Sequence, residues 1–195
     1  MTTAGVVHLR PQGVRREGGV PSLTLATMLF VCCELMFFAA LISAHAIGRA
    51  NLPMWPPLDQ PRLPIESTAF NTLVLLVSGV LVTVGGRRLE AEESSGRRLL
   101  ALGTAAGLGF VLLQGVEWVR LLGQGLTLQS SAYGGFFYLI VGAHALHALA
   151  GLAALGWTLR AASTVGVSRD AMLAARLYWV FVVFLWPVLY WRVYL

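Results

Sequence analysis

Apolar residues fill five long runs, at positions 22–47, 70–86, 99–122, 133–159 and 173–195, separated by polar or proline-rich stretches. About 17–25 apolar residues in a helix cross the hydrocarbon core of a bilayer. Each run is near that length; the second is the shortest, and the first and fourth are long enough to tilt. The pattern predicts an all-α membrane protein, a bundle of five transmembrane helices over residues 22–195 behind a polar tail at residues 1–21. The first run is too long for the apolar stretch of a cleaved signal peptide, so it is expected to insert and stay.

The connections differ in kind. Residues 49–69 carry Pro53, Pro56, Pro57, Pro61 and Pro64, which fix φ and remove donors, so an extended strap is expected rather than a helix. Trp55 lies in it, next to Pro56 and Pro57, and is expected at the membrane interface or packed on a neighbour. Residues 87–98 mix arginines with Glu90, Glu92 and Glu93 and read as a solvated hairpin. Pro187 falls inside the last run and removes the donor to the Val183 carbonyl, so a kink is expected there.

Composition supports the membrane reading. Hydrophobic residues make up 57% of the chain and charged residues 12%, with mean hydropathy +0.73, whereas soluble domains carry about 25% charged residues. All 14 basic residues are arginines, and the net charge is +5. They lie in the tail and the connections rather than along one stripe, which argues against a nucleic-acid partner. Arg10, Arg15, Arg16, Arg87, Arg88, Arg97, Arg98, Arg160, Arg169 and Arg176 fall on one side. Only Arg49, Arg62, Arg120 and Arg192 fall on the other. The bias predicts an N-terminus inside and a C-terminus outside. Cys32 and Cys33 are neighbours, pointing about 100° apart on a helix. They suit neither an intrachain disulfide nor a metal site and read as packing residues.

Candidate chemistry lies in polar residues embedded in the apolar runs, where ionisable groups are costly. His144 and His147 share one face of the fourth helix. With His45 near the end of another helix, they are too sparse for a copper cluster or a haem. Glu117 has Gln114 and Arg120 three residues away on either side. Two readings stay open for it: a salt bridge to Arg120 at the membrane edge, or a link to His144 or His147 on the next helix. Glu34 lies mid-helix with no basic residue within a turn. It reads either as a neutral acid hydrogen-bonded to another helix or as a proton-exchanging or lipid-contacting site. Small residues on the third and fourth helices allow close packing, inside the bundle or onto a partner subunit. There is no nucleophile–base pair, phosphate loop, H-E-x-x-H or G-x-S-x-G, so no catalytic, cofactor-binding or metal-ligating residue is assigned.

Taken in order, several segments resemble subunit III of the haem–copper respiratory oxidases. They are Glu34-Leu35-Met36-Phe37-Phe38; Trp55-Pro56-Pro57; 71–79; Leu113-Gln114-Gly115-Val116-Glu117; Phe137-Tyr138 followed by Gly142-Ala143-His144-Ala145-Leu146-His147; and Tyr178-Trp179 with Trp186. The family has seven-helix and five-helix forms, and this chain looks like the shorter. The resemblance implies a cofactor-free integral subunit of a bacterial cell membrane, serving aerobic respiratory electron transport. Its partners would be the haem- and copper-bearing subunit I, and subunit II. It also implies bound phospholipid, a part in proton uptake and translocation, and a position near a lipid cleft for Glu34. The last helix departs from the family pattern, with Val180 and Val183 where histidine and aspartate are usual. Two further readings therefore stay open: a subunit-III-like accessory protein of a nitric oxide reductase or other respiratory complex, and, from another class, a small haem-binding membrane anchor.

Overall fold

A computed structural model describes residues 22–164 and 166–195; the expected tail at 1–21 lies outside the described residues. Five helices follow one another, α1 (Ser22–Ala50), α2 (Ile65–Glu90), α3 (Ser94–Gly123), α4 (Ala132–Thr164) and α5 (Arg169–Tyr194). All five are long and apolar enough to cross a membrane.

The helices run past the apolar runs at most ends. α2 starts at Ile65, directly behind the proline strap, where the Thr68 amide and hydroxyl both bond the Pro64 carbonyl, at 3.2 and 2.7 Å. The stretch at 87–98, expected as a solvated hairpin, is helical on both sides and reverses only over residues 91–93. Three backbone bonds close that turn, Ala91 N–H to Arg87 O at 3.1 Å, Glu92 N–H to Leu89 O at 3.0 Å and Glu93 N–H to Arg88 O at 2.9 Å. Glu92 takes the left-handed conformation between them, with φ 61°. Continuing the helix satisfies backbone groups that a loop at this depth would leave to solvent. α5 continues through Pro187 to Tyr194.

Successive helices run in opposite directions. The end of α1 meets the strap and the start of α4, with His45, Trp55 and Tyr133 in edge-on aromatic contact. At the opposite end, Arg176 near the start of α5 pairs with Glu90 at the end of α2, at 2.8 Å.

α2 and α3 pack most closely, because glycines at their crossing let the backbones meet. A Cβ on Gly85 would stand 2.5 Å from the Leu100 amide nitrogen, and one on Gly96 would run into the Leu89 amide nitrogen. The Ser78 hydroxyl donates across this seam to the Gly103 carbonyl at 2.6 Å.

α5 is the hub, touching α1, α2 and α4. Its two indoles are fully buried, and hydroxyls of α2 accept both N–H groups. Trp179 bonds Ser78 at 3.1 Å and Trp186 bonds Thr72 at 2.9 Å. The Trp179 ring fits between Gly107 of α3 and Gly151 of α4, where side chains would strike it. α1 is the outrider. It packs on α4 and α5 alone, and few of its residues are buried. Asp170 at the start of α5 tethers its first turn, accepting from the Leu23 amide (3.1 Å), the Thr24 amide (2.9 Å) and the Thr24 hydroxyl (2.6 Å). A carboxylate that satisfies orphan donors at a helix start also complements the helix dipole.

The α2–α3 seam yields a graded test. Gly85→Ala and Gly96→Ala meet backbone, which cannot give way, and are expected to destabilise by about 1–3 kcal/mol or more. Gly109 and Gly115 have open space around the position of a Cβ. Their alanine variants are expected to be neutral or to stabilise by up to about 1 kcal/mol. Thermal unfolding in detergent compares the four.

Candidate functional site

The embedded polar residues fall into two separate clusters. The first joins α1 to α4. His147 Nε2 lies 2.8 Å from Glu34 Oε2, and His147 Nδ1 lies 2.7 Å from the Ala143 carbonyl oxygen one turn earlier. A carbonyl oxygen only accepts, so Nδ1 carries a hydrogen and donates it. Two lone pairs do not face each other at 2.8 Å, so a single proton lies between Nε2 and the carboxyl oxygen. Neutral acid beside neutral imidazole and carboxylate beside imidazolium are the two ways to place it. In both, the pair as a whole is uncharged.

Such neutrality suits the location, since a lone charge at the bilayer centre costs about 2.5–3.5 kcal/mol on insertion scales. Phe38 stands edge-on to the His147 ring at 5.2 Å, and Tyr178 stacks at 6.5 Å. The side chains of His147 and Glu34 stay 16% and 17% exposed. They are therefore shielded but not fully enclosed. The basic partner that the sequence around Glu34 lacks comes from α4, 113 residues away.

The second cluster joins α2, α3 and α5 and is fully buried. Thr68 (2.9 Å), Asn71 (3.1 Å) and Gln114 (2.9 Å) bond the Glu117 carboxyl, and the Gln114 amide also donates to the Tyr194 hydroxyl at 3.1 Å. The expected link from Glu117 to His144 or His147 is not made. Glu117 points to α2, the closest neighbour of α3, and His147 is occupied by Glu34. The salt bridge to Arg120 is absent too: among the described residues the ion pairs are Arg88–Glu93, His147–Glu34 and Arg176–Glu90. Arg120 lies on the exposed side of α3, away from the face that buries Glu117.

His144 joins neither cluster. It is 1% exposed, lies 5.0 Å from the Trp186 ring, and neither ring nitrogen has a hydrogen-bond partner among the described residues. Trp55 packs on His45 and Tyr133 at 5.3 and 5.1 Å, followed by a cis bond to Pro56. Cys32 and Cys33 are free and exposed. Among the described residues no group of three His, Cys, Asp or Glu side chains is placed to hold a metal ion.

Sequence reasoning missed Thr68, Asn71, Tyr194 and Asp170 as polar partners. A signal for the first two was present, since Thr68, Asn71 and Thr72 repeat at helical spacing along one face at the start of α2. Nothing local marks Asp170 or Tyr194, whose roles depend on which helices meet.

The two carboxylates are expected to respond differently to substitution. Glu34→Gln keeps a donor for Nε2 and is expected to cost less than about 1 kcal/mol. His147→Ala strands Glu34, and Glu117→Ala strands the donors on Thr68, Asn71 and Gln114. Each is expected to cost about 1–3 kcal/mol or more. Thermal unfolding of the four proteins in one detergent checks the order.

The chain matches the family model described as "Cytochrome c oxidase subunit III" over residues 12–195. It is 35% identical over 178 residues to a "Probable cytochrome c oxidase subunit 3" of Mycobacterium leprae, covering 88% of this chain and 87% of the relative. It is 31% identical to the "Cytochrome c oxidase subunit 3" of Corynebacterium diphtheriae, with 94% and 93% covered. To that of Synechocystis it is 30% identical, with 91% and 77% covered. An integral membrane chain of five long apolar helices, it belongs to the cytochrome c oxidase subunit III family.

Proposed function

We propose that this chain is the cofactor-free subunit III of a bacterial haem–copper terminal oxidase, docked on subunit I and close to subunit II in the cell membrane. Its N-terminus would face the cytoplasm, as the arginine bias requires. Its roles would be to stabilise subunit I, hold phospholipid and aid proton uptake. Haem and copper would reside in the partner subunits.

The observation that carries this reading is the Glu34–His147 pair, 2.8 Å apart and still partly exposed. A carboxyl and an imidazole sharing one proton are uncharged together at rest, and they can hand that proton on if a second proton is taken up as the first leaves, so that the single negative charge left by its departure is not held in the bilayer. The buried Glu117 cluster suits a different task, joining α2, α3 and α5 through the hydrogen bonds of Thr68, Asn71, Gln114 and Tyr194. That its relatives are cytochrome c oxidase subunits favours an oxidase over a nitric oxide reductase as the host complex.

Extraction of native membranes in a mild detergent, with this chain tagged, tests the assignment. A large polytopic subunit showing haem absorption is expected to copurify, while the chain separated from it shows none. Recovery of a homo-oligomer without that subunit, or a stoichiometric haem band on the isolated chain, would overturn it.

A further inference from the structure

At the end of the bundle where α1 and α5 finish lies a cavity that neither polar cluster uses. It has a volume of about 590 Å³ and is lined by His45 and Arg49 of α1, Trp55 of the strap, and Trp191 and Arg192 of α5. The sequence places only four arginines at this end, Arg49, Arg62, Arg120 and Arg192, and two of them meet here. Among the described residues neither Arg49 nor Arg192 forms an ion pair, and both are exposed. Arg192 lies 5.7 Å over the Trp191 ring, which steadies the guanidinium. His45 lines the same cavity at 3% exposure, and no hydrogen bond holds its ring among the described residues. Edge-on contacts with Trp55 and Phe136, at 5.3 and 5.6 Å, orient it instead. Two planar guanidinium forks and a buried, unpaired imidazole form the donor set that receives an oxyanion such as a carboxylate.

The strap beside the cavity indicates what brings the anion. Leu52, Met54 and Leu58 flank Trp55 there and are exposed, Leu58 by 88%. They belong to the proline-rich connection and not to a helix. Apolar side chains left bare around a polar centre mark a protein docking surface. Met, Trp and Arg, the residue types enriched in interfaces, stand together here. Pro53, Pro56 and Pro57 restrict the backbone of the strap, so docking has little of it to order. A free inorganic anion would leave the apolar rim bare. So would a lipid phosphate, whose acyl chains run back along the helices and away from Leu58.

We propose that this end of the bundle docks an acidic segment of a neighbouring polypeptide. An aspartate or glutamate of that segment lies on Arg49, Arg192 and His45, and its apolar neighbours cover Met54, Trp55 and Leu58. α1 lines the cavity with Ala46 and Ala50, whose short side chains leave room for a carboxylate and the residues beside it. A segment lacking the carboxylate would bury two guanidinium groups unpaired, so the contact selects its partner by charge. Such a contact deepens the proposed function by giving the chemistry of one subunit interface, and it rests on that reading only in placing the chain among other subunits.

The test uses the native complex in mild detergent, with a photo-crosslinking amino acid in place of Leu58 and the crosslinked products read by mass spectrometry. A peptide of a different polypeptide is expected, with an aspartate or glutamate close to the crosslinked position. R49Q/R192Q, altered only at exposed positions, is expected to lower its yield roughly tenfold or more. Arg62→Gln, at an exposed arginine of the same end outside the cavity, is expected to leave the yield unchanged. Arg49→Glu is expected to lower it as well, and reversal of the partner's acidic residue to arginine to restore it, which no general loss of fold would do. A phospholipid adduct as the main product, a peptide without an acidic residue, or crosslinks to a second copy of this chain alone would overturn the proposal. So would equal yields in wild type and R49Q/R192Q, or a charge reversal that restores nothing. The haem-bearing subunit is scored separately in the same sample. Its absence contradicts the proposed function, whereas the crosslink alone decides the docking.

Discussion

A hydrocarbon layer offers a polar group no water, so a carboxyl, imidazole or indole within it gains most from a partner in protein; His144 and the Trp118 indole are the buried exceptions among the described residues. That gain sets which helices of this chain meet and where. Glu34 reaches α4 for His147, and Glu117 reaches α2 for Thr68 and Asn71. The two tryptophans of α5 reach α2 for Ser78 and Thr72. Apolar surface cannot supply such specificity here, because lipid tails satisfy leucine as well as another helix does. Close approach of backbones at glycines brings the helices together, and the polar pairs fix their register.

The two carboxylates are set for different work by their surroundings. Glu117 is enclosed by donors from two helices beside a buried tyrosine, in a network that links α2, α3 and α5 and leaves only the Gln114 Oε1 of its side-chain groups unpartnered among the described residues. Glu34 has one partner and an open side. Its helix, α1, is bound to the rest by that pair, by the Asp170 tether at its start and by packing along a seam that remains open in places. The carboxyl–imidazole pair and the open seam thus both involve α1, the helix with the least buried surface. Mobile or ligand-binding elements are drawn from such weakly packed parts of a structure.

Much of the fold was legible in the sequence. Five apolar runs gave five helices in order, and the prolines placed the strap. Helix ends were not legible, because α2 and α3 continue past their apolar stretches to satisfy their own backbone at the turn. Of the site, Glu34, Glu117 and His147 stood out as embedded ionisable groups, but their pairings did not. The short α3–α4 connection suggested that Glu117 faces a histidine. Glycines at 85, 96 and 103 instead drew α3 onto α2, which turned Glu117 to Thr68 and Asn71. Such pairings depend on relative helix rotation, which periodicity alone does not set when all faces are apolar.

The arrangement of α1 on α4 rests on one proton shared by His147 and Glu34 while Nδ1 donates to the Ala143 carbonyl. Nitrogen-15 NMR of the histidine-labelled protein in lipid reads this directly, with His147 assigned by its loss in His147→Gln. A protonated Nδ1 throughout the neutral range is predicted, together with a shift of the Nε2 signal in Glu34→Gln. A His147 that carries its hydrogen on Nε2 alone, with Nδ1 bare, would contradict the account.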